Sequence, residues 1–322
     1  MLRDQRLVYA PFEYPEAYNY WTLQTDAFWK HTEIAMADDI LDWEFHMTDV
    51  ERAVVGMELK GFVQTEVIVG DYWTSKVAKW FPKPEVALAC AAFGSMEGIH
   101  QAGYAFLNDT LGLTEYDAFL REPTIKAKID RLLEAPGNSD EEVARSLAVF
   151  SGFTEGVSLF SSFAVLLNFS RRKKSKPVLQ GVGQIISFSI RDESLHSLFG
   201  CWLFRKMMEE YKHLKTPKLK EAVYEAAKQT VAMEDEFIDA AFSSGEVAEF
   251  SSDDLKQFIR HRTNTKLSDL GYNASAYNVD ADAMNRMSWF DASSAAQEHG
   301  DFFATRTTEY SLSNQSWDNM WA

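Results

Sequence analysis

Along most of this chain apolar residues recur every three or four positions, the spacing of helix faces rather than the two-residue period of strands. Thr48-Asp49-Val50-Glu51 has the form of a capping box, and a helix is expected from there to about Trp80, stopped by Pro82 and Pro84. A second is expected from Pro84 to about Leu111, broken at Leu111-Gly112-Leu113. A third spans about Thr114 to Glu134, before Pro136-Gly137, and a fourth about Ser139 to Phe169. The basic stretch Arg171-Arg172-Lys173-Lys174 reads as a solvated turn ahead of Pro177. A fifth helix then runs to about Tyr211, and two more occupy residues 217–243 and 251–270. Residues 1–48 are aromatic and punctuated by proline, and read as an irregular arm. Beyond Gly271 there is little periodicity. With no long linker, the expectation is one all-α domain over residues 1–300 and a flexible C-terminal tail over 301–322.

Acidic and imidazole side chains interrupt the apolar stripes at particular places. Phe93, Met96, Glu97, His100, Tyr104 and Leu107 share one helix face, and Ile186, Ser189, Glu193, His196 and Leu203 share another. Leu59, Phe62, Glu66 and Trp73 form a third stripe; Glu155, Leu159 and Phe163 form a fourth. In Glu97/His100 and Glu193/His196 a carboxylate and an imidazole stand three residues apart, so each pair points to one place. Buried unpaired carboxylates cost several kcal/mol each. Four glutamates and two histidines on four apolar stripes therefore call for compensating cations, and two Glu-x-x-His pairs with two further glutamates are the ligand set of dinuclear sites in ferritin-like bundles. Oxygen and imidazole donors without thiolates suit manganese or iron.

Composition narrows the function classes. The 32 basic and 48 acidic residues give a net charge of −16, which argues against a nucleic-acid surface. Sixteen glycines and eight prolines are few for a chain of this length and fit long helices. Cys90 and Cys201 make no motif and read as buried thiols of a cytoplasmic protein. The segment Met1–Arg6 lacks an apolar signal core, and no run is expected to reach the roughly 18–20 apolar residues of a membrane span. His31, His46, His213, His261 and His299 have no carboxylate at ligand spacing on a convincing apolar stripe and read as surface or capping residues.

At its acid–histidine motifs the chain resembles the small, radical-generating subunit of class I ribonucleotide reductases. Arg191-Asp192-Glu193-Ser194-Leu195-His196 is similar to that family's Arg-Asp-Glu-x-x-His signature. The resemblance implies Glu66, Glu97 and His100 around one metal and Glu155, Glu193 and His196 around the second. It implies Tyr104 at the position of the radical-bearing tyrosine, and Trp29 as the tryptophan linked to His100 through Asp192. Phe302-Phe303 and Arg306–Tyr310 resemble the C-terminal segment whose tyrosine, here Tyr310, relays a radical between subunits. Trp317, Met320 and Trp321 would dock on the large catalytic subunit, and the small subunit would be a homodimer. The activity implied is generation of the radical that lets the large subunit reduce ribonucleotides.

Two positions depart from the family pattern. Glu66 stands where most members have aspartate, and Ser189 stands where an apolar residue is usual. Leu159, Phe163 and Ser189 are expected around Tyr104, and a hydroxyl there would alter its oxidation potential. Both departures point to the dimanganese subgroup, in which the oxidising equivalent stays on the metals. A diiron–tyrosyl version of the same subunit is the alternative. A ferritin-like oxidase or monooxygenase acting on its own substrate is another; it would need a substrate cavity and not the relay tail.

Overall fold

The computed structural model describes residues 1–134 and 137–290. Its helices are α1 (Pro15–Asp26), α2 (Ala37–Leu41), α3 (Asp49–Asp71), α4 (Ala78–Trp80), α5 (Pro84–Thr110), α6 (Pro123–Leu132), α7 (Asp140–Leu147), α8 (Leu159–Arg171), α9 (Gln180–Glu210), α10 (Pro217–Ala241) and α11 (Ser252–Asp269). No strand occurs among the described residues. The architecture is an all-α, ferritin-like bundle: α3 lies along α5, the α7–α8 rod along α9, and α10 and α11 cover the outside of that rod.

Local signals set the helix ends. Thr48 and Glu51 bond each other's backbone at the start of α3, as do Ser139 and Glu142 at α7 and Ser251 and Asp254 at α11. Pro84 and Pro217 sit in the first turns of α5 and α10, where a missing N–H costs nothing. After α5 the chain turns through Gly112 at φ +74°, a left-handed conformation that glycine adopts without strain. The long α9 has no capping side chain of its own. Asp39 instead accepts from the N–H groups of Gly181 and Val182, and Asp42 from that of Leu179.

Several expectations need correction. The expected third helix survives only as a 3-10 turn at Ala118–Arg121 followed by α6, because Pro123 can begin a helix but cannot sit inside one. The 1–48 arm is not irregular: α1 packs on α5 and α9, and α2 caps α9. Residues 281–290 are helical and bury Met287 and Phe290 in the core. Within the basic turn, Arg172 is buried and pairs with Glu51 at 2.6 Å. Asp140–Arg171 is one continuous helical rod, long and apolar enough by composition to cross a membrane. Its apolar stretch is 89% buried against the other helices, so its hydrophobicity is that of a core element. Cys90 and Cys201 are buried and unpaired.

Two of the ligand-bearing rods change winding. Residues Tyr72–Val77, after α3, and Ala148–Ser158, between α7 and α8, widen to π-helical turns. Such turns recur at functional sites because the extra residue re-aims a side chain. Glu155 lies inside the second of them.

Candidate metal centre

Four rods place the six acid and imidazole side chains in one water-free space. Glu66 comes from α3, Glu97 and His100 from α5, Glu155 from the π-wound segment, and Glu193 and His196 from α9; none has any solvent exposure. They form two overlapping groups, Glu66–Glu97–His100–Glu193 and Glu97–Glu155–Glu193–His196, and within each group one donor atom per residue lies within 4.8 Å of all the others. Glu97 and Glu193 belong to both groups, as bridging carboxylates would.

Both imidazoles turn Nδ1 inward and Nε2 outward. His100 Nδ1 is 3.1 Å from Glu97 and 3.1 Å from Glu193, and His196 Nδ1 is 2.8 Å from Glu97. On the outer side, His100 Nε2 meets Asp192 at 3.2 Å and His196 Nε2 meets the amide oxygen of Gln24 at 3.0 Å. Gln24 donates its own N–H to Asp192 at 3.1 Å, and the Trp29 indole N–H donates to Asp192 at 2.8 Å. Arg191 flanks the same carboxylate at 3.3 Å. Outer partners of this kind fix the tautomer and ring orientation of a ligating histidine. Trp73 donates to Glu155 at 2.6 Å, which orients that carboxylate.

Electrostatically the cluster is unbalanced. Burial, with Glu97 and Glu193 nearby, pushes the Glu66 carboxyl well above the usual range. Burial, Glu193 and Glu97 do the same to Glu155, against the Trp73 hydrogen bond, and burial and Glu97 raise Glu193. Burial also acts on Glu97, but His196 and His100 overcome it and hold this carboxyl low. For His100, burial is outweighed by the adjacent carboxylates of Asp192, Glu193 and Glu97, so its proton is held well above the usual imidazole range. Both oxygens of Glu66 and of Glu193, one each of Glu97 and Glu155, and Nδ1 of His196 have no hydrogen-bond partner. Buried polar atoms are almost always satisfied. Inward-facing orphans on five of the six converging side chains are what a pair of metal ions would satisfy, and the donor set fits it.

Tyr104 lies beside this cluster, fully buried, with its ring 6.0 Å from that of His100 and stacked on Phe62 at 4.7 Å. Burial raises its phenol well above the usual range. Ser189 is its polar neighbour, but the serine hydroxyl is spent on the Ile185 carbonyl at 3.1 Å and the Tyr104 hydroxyl is left unpaired. Of the three residues expected around Tyr104, Ser189 is a polar neighbour of its hydroxyl, Phe163 stacks at 5.3 Å on the same Phe62 ring that stacks on Tyr104, and Leu159 lines a cavity that Phe62 also borders. Tyr310, Trp317, Met320 and Trp321 lie outside the described residues. Gln24 and the Trp73–Glu155 bond were missed by sequence reasoning. Gln24 sits in a segment without apolar periodicity, and Trp73 stands out in sequence only as one more core aromatic.

A ferritin-like bundle with two converging acid–histidine groups defines a protein able to bind a dinuclear metal centre. This chain belongs to the ribonucleotide reductase small-chain family, whose model matches residues 6–284. It is 34% identical over 99% of its length, and 88% of the relative's, to a probable ribonucleoside-diphosphate reductase small subunit of Invertebrate iridescent virus 3. Its fold is similar to that of a putative class I ribonucleotide reductase from Bacillus halodurans, with a TM-score of 0.77 at 18% identity over 87% of this chain and 99% of the other. It is also similar to the dimanganese(II) NrdF of Streptococcus sanguinis, with a TM-score of 0.72 at 21% identity over 88% and 99%.

Proposed function

We propose that this chain is the radical-generating small subunit of a ribonucleoside-diphosphate reductase, acting on no nucleotide itself and working with a separate large catalytic subunit. The observation that carries this reading is the hydrogen-bonded track His100–Asp192–Trp29, which links the acid–histidine cluster to a buried indole outside it. Glu66, Glu97 and His100 would hold one metal ion, and Glu155, Glu193 and His196 the other. When bound, the pair supplies one-electron oxidising power. Asp192 holds the outer proton of His100 at Nε2 and accepts from Trp29 at the same oxygen, Oδ2. Burial, Asp192 being 1% and Trp29 5% exposed, keeps water from intercepting charge along the track. We place the next relay step at Tyr310 and large-subunit docking at Trp317, Met320 and Trp321. We further read the subunit as a homodimer in the cytoplasm, a compartment consistent with two buried, unpaired cysteines.

We choose manganese over iron, with the oxidising equivalent held on the metals. Glu66 in place of the family's usual aspartate and Ser189 beside Tyr104 support this, and the Streptococcus protein is a precedent for two manganese ions on this fold. The specific observation favouring a tyrosyl radical instead is the dry, unpaired hydroxyl of Tyr104. The test is to load the protein separately with manganese and iron, measure bound metal and electron paramagnetic resonance, and assay with the large subunit. A coupled multiline manganese signal that tracks activity is expected, with activity retained in Tyr104→Phe. Loss of activity in Tyr104→Phe at unchanged metal content would assign the radical to Tyr104. Truncation after Thr305 is expected to abolish reduction while leaving metal content intact; an active truncated chain would favour an oxidase with its own substrate.

A further inference from the structure

A second buried acidic group lies between α3, α6, α8 and α10, outside the candidate metal centre. Glu58 of α3 and Glu234 of α10 are 1% and 0% exposed. Glu234 is fully engaged: Lys128 of α6 lies 2.7 Å from one oxygen and Ser161 donates to the other at 2.7 Å. Glu58 is not. Neither of its oxygens makes a hydrogen bond, although the Ser162 hydroxyl lies near enough to favour the charged form, and the side chain lines a cavity of about 50 Å³. A water needs roughly 10–15 Å³, so there is room for an occupant of a few atoms.

The lining states what that occupant must offer. Thr65, Thr154 and Thr230 all border the cavity, and each spends its hydroxyl proton on a helix carbonyl, those of Gly61, Val149 and Ala226. Their oxygens therefore remain available as acceptors. The cations at the rim are already committed, Lys128 to Glu234 and Arg131 to Gln229 and the Ala226 carbonyl. The hydroxyls of Ser158 and Ser162 also line the cavity, and of the two carboxylates in this group only Glu234 has a cation of its own. The rest of the wall is largely apolar and includes Phe62. One free carboxylate with hydroxyls and apolar walls is a poor cage for a divalent ion, which takes six or more oxygens. It suits a compact cation with several N–H donors.

We propose that this cavity binds a small primary ammonium group, held by Glu58 and the threonine hydroxyls. An occupant would touch Phe62, whose ring also stacks on Tyr104, so the site is one ring away from the tyrosine beside the metal centre. A lone alkylammonium and the end of a diamine share this recognition.

The experiment is calorimetric titration of the full chain at constant ionic strength with methylammonium chloride, with 1,4-diaminobutane and with potassium chloride. Saturable binding of one or both amines, absent for potassium and at least tenfold weaker in Glu58→Gln, is expected; a tighter diamine would identify a polyamine end, and a tighter methylammonium the free ion. Should Glu58→Gln fail to fold by circular dichroism, Thr230→Val provides the comparison and is expected to weaken binding several-fold. No saturable heat, equal heat with potassium, or unchanged affinity in the folded variant would overturn the proposal and leave a water-filled cavity.

Discussion

Helix α3 serves two buried acidic groups, and they differ in how their charge is met. Glu66 faces four-carboxylate company with two imidazoles, and Glu58, two turns or about 12 Å earlier, faces a two-carboxylate group with one lysine. In the first group the orphaned oxygens converge from four rods on shared points; in the second only one carboxylate is left over, and its partner Glu234 is closed off by Lys128 and Ser161. Burial acts on both. What separates them is the number of fixed positive charges: with too few for four convergent carboxylates, the first group requires multivalent ions, whereas one lysine brings the second within a single charge of balance.

Four changes would break or sharpen that contrast. The largest effect is expected from Glu97→Ala, which removes a carboxylate common to both metal groups: metal analysis should show loss of paired occupancy, with affinity falling by more than the roughly 10–100-fold typical of outer-shell changes. In the second group Lys128→Met leaves Glu234 without its cation and should cost about 3 kcal/mol in denaturant unfolding, most of it recovered in the Lys128→Met/Glu234→Leu pair. Full recovery failing in the double variant would mean that packing, not charge, dominates there.

Glu58→Gln tests the leftover carboxylate through pH. Burial pushes the Glu58 carboxyl from 4.5 up to about 7, against Ser162 and Lys128 and with Glu234 adding to the rise. A raised carboxyl favours its proton, so its contribution is intact below about 4.5 and is lost as pH rises to about 7, then levels. Relative to Glu58→Gln, the native chain should therefore lose about 3 kcal/mol across that window, read from unfolding midpoints. A flat difference would place a bound cation or a relaxed, hydrated Glu58 there at all pH values. The smallest effect is expected for Gln24→Leu, which removes the outer partner of His196 while sparing every candidate ligand: metal affinity should drop about tenfold, at the low end for such groups.

Much of the candidate metal centre was legible because helical spacing and burial go together. Glu66, Glu97, His100, Glu155, Glu193 and His196 each stood on an apolar stripe, and a stripe that faces the core carries its acids inside with it. The outer partners were less legible. Asp192 and Trp29 came from a family resemblance, whereas Gln24 is contributed by α1, whose few buried positions leave no clear apolar face in the sequence. Around Tyr104, the neighbouring Ser189 followed from helical spacing, whereas the stacking of Phe62 from α3 did not.

The sequence by itself determined the all-α class, the long helices and their caps, and the six acid and imidazole residues that the bundle buries, because each of these depends on local chemistry and on period along one helix. Tertiary structure alone decided which atoms meet. The π-wound turns that re-aim Trp73 and Glu155, the inward Nδ1 of both histidines, the capping of α9 by Asp39 and Asp42, and the pairing of Glu234 but not Glu58 all depend on distances between elements remote in the chain. Such distances are set by packing across helices, which no periodicity within a single helix encodes.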